Sequence, residues 1–430
     1  MASQAWNLAF SSMSAVGVML VKTPTHTQFS EAHIVNTLSA EFLGECAPSQ
    51  GSSNNVLNSI APKIIFDMHQ LGDVVSDAYL EIDIPPLPVM DNDVGVLHGV
   101  NAMGLAMIDN WQTMIGKQSY EVQHSELMYF LEELCNTPGD RPTEEIGDWR
   151  DPAILQHLSQ FPQHFSVKLR TWWTQQQKTG TLADALKLCT AGGNAVEVQV
   201  TFDNYANWLV YTPGDNWSNQ ALVKHVQSTL ASSSVRLFGR YHWMEKKERE
   251  YYQDNGIMSF YSFWQYATQD MPTTSLSTLK LTFNFPCNAV LWAVRNNTYA
   301  LTDGQLYPGK IGTKDKFFFG SSTGVEPITK IDLAINSQSL ITYAAYSTSM
   351  MRNIMQKRGW GHRTTMPLYA LVCQNEIDQR HVRGFIDFSR FDNVTTAVTI
   401  SEAGGKLFMW AHAKNVMTSD YGTWTRPFAS

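Results

Sequence analysis

GFIDFSRFDN, residues 384–393, is the stretch on which the reading of this chain turns. It alternates like a strand, yet Asp387, Phe388, Ser389 and Arg390 stand in a row like a motif. An acid, a hydroxyl and a guanidinium this close invite a catalytic reading. A Ser-His-Asp hydrolase holds its nucleophile on a strained turn, however, and no G-x-S-x-G occurs in the chain. With Ser389 inside an alternating strand, the expectation is a structural segment, part of a wall and not a site.

The same alternation recurs to either side. In NAVEVQVTF, Val196, Val198, Val200 and Phe202 fall on one face, and Glu197, Gln199 and Thr201 on the other. YLEIDIPP sets Leu80, Ile82 and Ile84 against Glu81 and Asp83 and ends at Pro85 and Pro86. LKLTFNFPC repeats the pattern with Leu279, Leu281, Phe283 and Phe285 and ends at Pro286. VRLFGRYHW, KIDLAIN and KLFMWAHAK are further strands. Alternation of this kind predicts half-buried antiparallel strands, not the continuous apolar runs of a parallel sheet. Helical signals are few. QHSELMYFLEEL carries Leu127, Phe130, Leu131 and Leu134 at helical spacing and stops at Pro138-Gly139. MEKKEREYYQ, residues 244–253, predicts a charged helix, and TLADALKLC, residues 181–189, a short third one.

Composition agrees with a large β core. The 430 residues are 43% hydrophobic and 16% charged, enough apolar material for two domains. With 13 Trp, 16 Tyr and 21 Phe, the chain leans toward strands and toward association. A net charge of −8 argues against a protein whose main partner is the nucleic-acid backbone. The dense basic cluster, Lys246, Lys247 and Arg249, is interleaved with Glu245, Glu248 and Glu250 and reads as a solvated helix face. Cys46, Cys135, Cys189, Cys287 and Cys373 are odd in number, scattered and without a CxxC pair. A disulfide framework or zinc ribbon is not expected, and a reducing compartment is. The apolar run at residues 16–21 has no basic region before it, and no stretch reaches the roughly 18 apolar residues of a bilayer span. The expectation is a chain soluble and intracellular at synthesis.

A long internal repeat of pattern follows. The first half runs from a proline-ended strand (80–85) through a strand–turn at Met114-Ile115-Gly116-Lys117-Gln118, a long excursion, 196–202 and 235–243. The second runs from 281–286 through a strand–turn at 333–338, an excursion, 384–391 and 407–414. Each half has about eight strand-like segments. That fits a jelly roll, two four-stranded sheets over one core. The edge strands left over would be covered by assembly.

No constellation for catalysis, cofactor or metal rises above its structural reading. His124 and Glu126 lack the H-E-x-x-H spacing. His26 and His33 read as surface histidines, and Gly192-Gly193 as a turn before a strand, not a phosphate loop. Asn216, Asn296 and Asn393 stand in N-x-S/T sequons and are candidate glycosylation acceptors, but nothing directs the chain to a glycosylating compartment. A competing reading from another class is an aromatic-rich carbohydrate-binding or hydrolytic β-sandwich, with an exposed Trp172-Trp173 pair stacking on sugar rings.

YALVCQNEIDQRHVRGFIDFSRFDN, residues 369–393, resembles the C-terminal jelly-roll strand of the major capsid proteins of nucleocytoplasmic large DNA viruses. There a strand of the kind Y-x-Y-x-F-A-L precedes N-F-S-R-I-D-N. This chain keeps Phe388, Ser389, Arg390, Asp392 and Asn393, with Asp387 for Asn and Phe391 for Ile. DNWQTMIGKQSYEVQHSELMYFLEEL is similar to the family's strand–G-G-Q–helix segment, and VRLFGRYHWMEKKEREYYQ to its strand and D-x-x-E-R-x-x-F helix, with Glu248 and Arg249 as the E-R. LTFNFPCNAVLWAVRNN resembles L-N-F-N-H-P-x-K-x-L-x-W, and LFMWAHAKNVMTSDYG the family's last strand and tail. Five such stretches fall in order over residues 25–425.

The resemblance implies an all-β, mainly antiparallel chain of two consecutive eight-stranded jelly-roll β-sandwiches with a few short helices. The expected division is an N-terminal arm (1–25), a first jelly roll (26–243), a helical linker (244–256), and a second jelly roll with a C-terminal tail (257–430). It implies a structural major capsid protein, not an enzyme, that trimerises into pseudo-hexameric capsomers tiling an icosahedral shell. A minor double-jelly-roll capsid protein is the alternative within the family. The implied partners are itself, minor capsid and penton proteins and, through minor proteins, an internal membrane, with no direct nucleic-acid contact. The implied location is the virion, after synthesis in the host cytoplasm or a virus factory. The excursions at 136–195 and 339–370 would be exterior loops or subunit contacts, and the arm would lie inside the shell.

Overall fold

The computed structural model describes residues 38–51, 54, 57, 62–68, 71–87, 95–135, 143–149, 151–174, 185–192, 194–213, 219–296, 316–317, 319, 327–342, 367–373, 384–420 and 423–426. Eight long strands fold the N-terminal half: β1 (Leu38–Cys46), β2 (Lys63–Asp67), β3 (Val74–Ile84), β4 (Ile108–Ile115), β5 (Gln118–His124), β6 (Gln163–Lys168), β7 (Val196–Phe202) and β8 (Ser234–Met244). They pair as two sheets, β1-β8-β3-β6 and β2-β7-β4-β5. Eight more fold the C-terminal half: β9 (Ile257–Met271), β10 (Ser275–Lys280), β11 (Pro286–Asn296), β12 (Ile328–Ile335), β13 (Gln338–Thr342), β14 (Tyr369–Val372), β15 (Val394–Ile400) and β16 (Gly405–Asp420). These pair as β9-β16-β11-β14 and β10-β15-β12-β13. The strand order in the second half is that of the first with every number raised by eight. Every pairing among these strands is antiparallel.

Local chemistry explains the strands. In β3, Leu80, Ile82 and Ile84 are buried while Glu81 and Asp83 are half-buried on the far face, as the period of two requires. Both repeats turn β4 into β5 and β12 into β13 over two residues with positive φ: Gly116 (57°) and Lys117 (66°), then Asn336 (47°) and Ser337 (65°). Paired positive φ values make the tight turn whose twist matches the flanking strands, and Gly or Asn carries the first position at least cost.

Two members of the expected repeat are displaced. The third strand of the second half is Pro286–Asn296, so Pro286 opens a strand where it was expected to close one. A proline suits that first position because no ladder donor is needed there. Leu281 and Phe283 are buried and alternate, but Phe285 has φ 68° and turns the chain, and the Gln265 side chain bonds the Asn284 backbone in place of a strand. The seventh strand is Val394–Ile400, VTTAVTI, and only Ile386–Asp387 of the quoted segment is strand. Phe388–Arg390 is a single 3₁₀ turn.

Helices also differ from expectation. α1 (Ser125–Cys135) and the charged α3 (Lys246–Asn255) form as predicted. Of residues 181–189, the described part is not α-helical. Leu186 exchanges two 2.9 Å backbone bonds with Val75, and Leu188–Thr190 is a 3₁₀ turn. The amphipathic α2 (Asn219–Leu230), which buries Val226 and Leu230, was not anticipated. The excursion at 136–195 carries β6, an edge strand of the first sandwich, and a short helix, Pro152–Leu158, capped by Asp151. Residues 1–37, with His26 and His33, lie outside the described residues.

The sheet β9-β16-β11-β14 is apolar on both faces. Leu407, Met409 and Ala411 of β16, Val290, Trp292 and Val294 of β11, and Tyr369 and Leu371 of β14 face the second sandwich's core. The residues between them, Phe408 and Trp410, Leu291 and Ala293, and Ala370, join the core of the first half. One face of this sheet thus closes the second sandwich, and the other packs against the first half. This departs from the half-buried expectation and explains the nearly continuous apolar run LFMWA.

Candidate functional site

Asp387 accounts for the motif-like look of the quoted segment. It is buried, and its Oδ1 accepts from Ser389 N at 3.2 Å and from Ser389 Oγ at 2.5 Å. That is a side-chain cap on a turn. Phe388 packs its ring 6.3 Å from Phe283 in the core, and Arg390 is exposed. The segment is part of a wall, though as a capped turn and not as a long strand.

The other singled-out residues separate in space. Trp172 and Trp173 are 5% and 0% exposed, so no sugar-stacking platform exists there. Trp172 packs 5.4 Å from Tyr261 of β9, where it helps join the two halves. His124 is half-buried, with its ring 4.0 Å from Tyr266, and burial pushes its pKa down despite Glu126. Lys246 and Lys247 are exposed on α3, as a solvated face should be, with Lys246 3.6 Å from Glu250. Asn393 is exposed; the side chain of Asn296 and all of Asn216 lie outside the described residues. Gly192 has φ 59° in a turn. Cys46, Cys189, Cys287 and Cys373 are free. Among the described residues no cluster of His, Cys, Asp or Glu has the arrangement of a metal site, and no helix is long and apolar enough to cross a membrane.

What the fold does bring together is the junction between its halves. α1 lies between the first sandwich and the two-faced sheet, and Leu127, Met128, Tyr129, Phe130 and Leu131 are all buried. Five consecutive buried residues put every side of that stretch of helix against protein. Phe130 meets Trp410 at 5.5 Å and Phe319 at 4.5 Å, and Tyr129 stacks on Phe317 at 4.3 Å. Tyr120 of β5 meets Tyr261 at 5.7 Å.

A buried ionic network crosses the same junction. Lys316 Nζ, from the second half, donates to Ala106 O and Ile108 O at 3.0 Å and to Asp203 Oδ2 at 2.8 Å. All three of its protons are thereby used. Arg295 of β11 reaches Glu126 Oε1 at 3.1 Å and lies over the Phe408 ring at 5.0 Å. Burial alone would raise the Glu126 carboxyl, but Arg295 and then Lys316 outweigh it and hold it below its ordinary range. Asp203 behaves likewise, with burial overcome by Lys316. Sequence reading missed these residues. The available signals were a lone Arg in the apolar strand VLWAVR and a Lys ahead of three consecutive Phe.

Comparison with solved structures bears on the whole of this architecture. VP54 of PBCV-1 superposes with a TM-score of 0.70 over 95% of this chain and 99% of its own, at 16% identity. The chain has the fold of a viral major capsid protein. The Faustovirus major capsid protein superposes with a TM-score of 0.67 over 98% of this chain and 99% of its own, at 11% identity. No family model and no curated protein matches the sequence. Each sandwich of this double jelly roll is therefore one roll, with α3 between them.

Proposed function

We propose that the chain is the major capsid protein of an icosahedral virus and builds its shell by self-association. In this reading residues 26–243 and 257–430 are the two rolls and 244–256 their linker. Three chains then present six similar rolls as a pseudo-hexagonal block. The observation that carries the reading is the repeated strand order, 1-8-3-6 and 2-7-4-5 in each half, with one sheet of the second half packed on both faces. A chain built this way offers two near-equivalent lateral surfaces in a fixed relation, which is what tiling requires. Its residues act by packing, with no catalytic, cofactor or metal role, and its place is the virion. Minor capsid and penton proteins and an internal membrane reached through minor proteins are the further partners. A minor capsid role shares the same fold and is separated by copy number in the particle.

Native mass by light scattering coupled to size exclusion tests the proposal. Three chains of 48.4 kDa, about 145 kDa in all, are expected. A stable, well-folded monomer at micromolar concentration overturns it.

A further inference from the structure

The two rolls treat the same face differently. In the second roll the outer face of β9-β16-β11-β14 is apolar and covered by the first roll, where Phe130 meets Trp410 and Tyr120 meets Tyr261. Its counterpart under the repeat is the outer face of β1-β8-β3-β6, and that face stays in contact with solvent. Leu43 of β1 is 65% exposed, and the side chains of Asp83 and Arg236 are each 40% exposed.

Ion pairs across the strands order this face. Asp77 lies 2.7 Å from Lys168 and 3.6 Å from Arg240, and Asp83 lies 3.1 Å from Arg236. His164 stands between Glu81 and Asp83, with one ring nitrogen on each. Phe238 and Tyr79 are opposite each other in register, with the Arg236 guanidinium 5.7 Å from one ring and the Lys168 ammonium 5.8 Å from the other. Charges that already answer one another can enter an interface without being left unpaired there. Leu43, opposite Arg240, and the two half-buried rings add apolar area.

The repeat indicates what covers the face. Within the chain, the first roll lays β5 and the helix after it on the second roll's sheet. β5 stands last in β2-β7-β4-β5, and β13 stands last in β10-β15-β12-β13. The polarity of edge and face matches in both cases. The β5 edge brings aromatic Tyr120 to the apolar face, whereas the β13 edge exposes Gln338 and Ser339 and suits an ion-paired one. Each chain carries one such face and one such edge, at opposite ends of the same repeat. A contact from the edge of one roll to the face of the next is heterologous, and it joins copies head to tail.

We infer that the outer face of β1-β8-β3-β6 receives the β13 edge of a second copy of this chain. The inference rests on the self-association proposed above and assigns a surface to it.

Leu43→Asp tests it, because so exposed a side chain can disturb docking without touching the core. By native mass over a dilution series, the variant is expected to need about tenfold more protein than wild type to stay trimeric, with an unchanged far-UV spectrum. A variant trimer as persistent as that of wild type overturns the inference and leaves the self-association standing. A wild-type chain that is monomeric throughout overturns both. As a second measure, trimers assembled from isotope-labelled and unlabelled wild-type chains are treated with a carbodiimide, which joins a carboxyl to a lysine amine. Asp332 holds Ser339 of β13 at 2.6 Å, and Lys330 is exposed two residues before it. Mixed-label links from Lys168 or Glu45 on the face to Asp332 or Lys330 are expected. Mixed-label links that join first roll to first roll, or none on this face, overturn the inference.

Discussion

Lys316 is the residue on which the junction between the rolls is most concentrated, because one ammonium holds two backbone carbonyls and a half-buried carboxylate from the other roll. Lys316→Ala removes the cation that holds the half-buried Asp203, and breaking a fully buried pair costs about 3–5 kcal/mol, an upper bound here. The expected outcome is a clear fall in Tm by scanning calorimetry, with a first transition in which one roll unfolds ahead of the other. Glu121 makes a second prediction at this scale. Burial pushes its carboxyl up to about 8, and its Gln123 and Trp172 neighbours only partly offset that. The folded chain therefore keeps a proton that the unfolded chain releases near pH ~4.3. Raising the pH through that window favours unfolding, so stability falls from about pH 4.3 to about 8 and then levels off. Glu121→Gln is expected to flatten that fall, raising Tm at pH 9 relative to wild type while changing it little at pH 4. Burial lowers His412 to about 3, so its own contribution falls as pH drops below the unfolded histidine value near ~6.5; it offsets the Glu121 contribution between about pH 4.3 and 6.5 and leaves the Glu121 fall visible above that.

At the scale of elements, β16 is covered on both faces. Trp410 is fully buried and meets Phe130 across the junction, so Trp410→Ala is expected to cost about 3–5 kcal/mol. Limited proteolysis would show it as early cleavage near α3, with each roll released as a fragment. Strands such as β7 and β8 were legible from alternation, because each has one core face and one polar face. The quoted segment misled for a physical reason. Ile386 and Phe388 alternate with Asp387 and Ser389 as in a strand, but the carboxylate of Asp387 bonds to the backbone two residues on and closes a turn instead. VTTAVTI, a few residues later, was the strand, with β-branched residues at six of its seven positions and no motif to draw the eye. The inter-roll contacts were not legible. Whether Trp172-Trp173 stacks on a ligand or fills a junction depends on a roll more than eighty residues away, which no local pattern encodes. The resemblance to capsid proteins, carried by five short stretches in order, did capture the fold that the superpositions bear out.

At the scale of the molecule, the pairing of first and last strands sets the folding problem. Leu38 meets Met244 to close one roll, and Ile257 meets Ser419 to close the other. Such distant pairings form late and leave open edges while they wait. Refolding from denaturant is expected to be slow, on the order of seconds or longer, with a yield that falls as protein concentration rises. Recovery of soluble protein over a dilution series measures this directly, and a concentration-independent yield would contradict it. Once closed, the sheet packed on both faces between the rolls has a mechanical meaning. A plank bonded on both sides has no free surface along which to slip, so a bending load on one roll passes into the other as shear through β11 and β16. The molecule is stiff at its middle. Any curvature of a larger structure made from it has to be taken up where one chain meets the next.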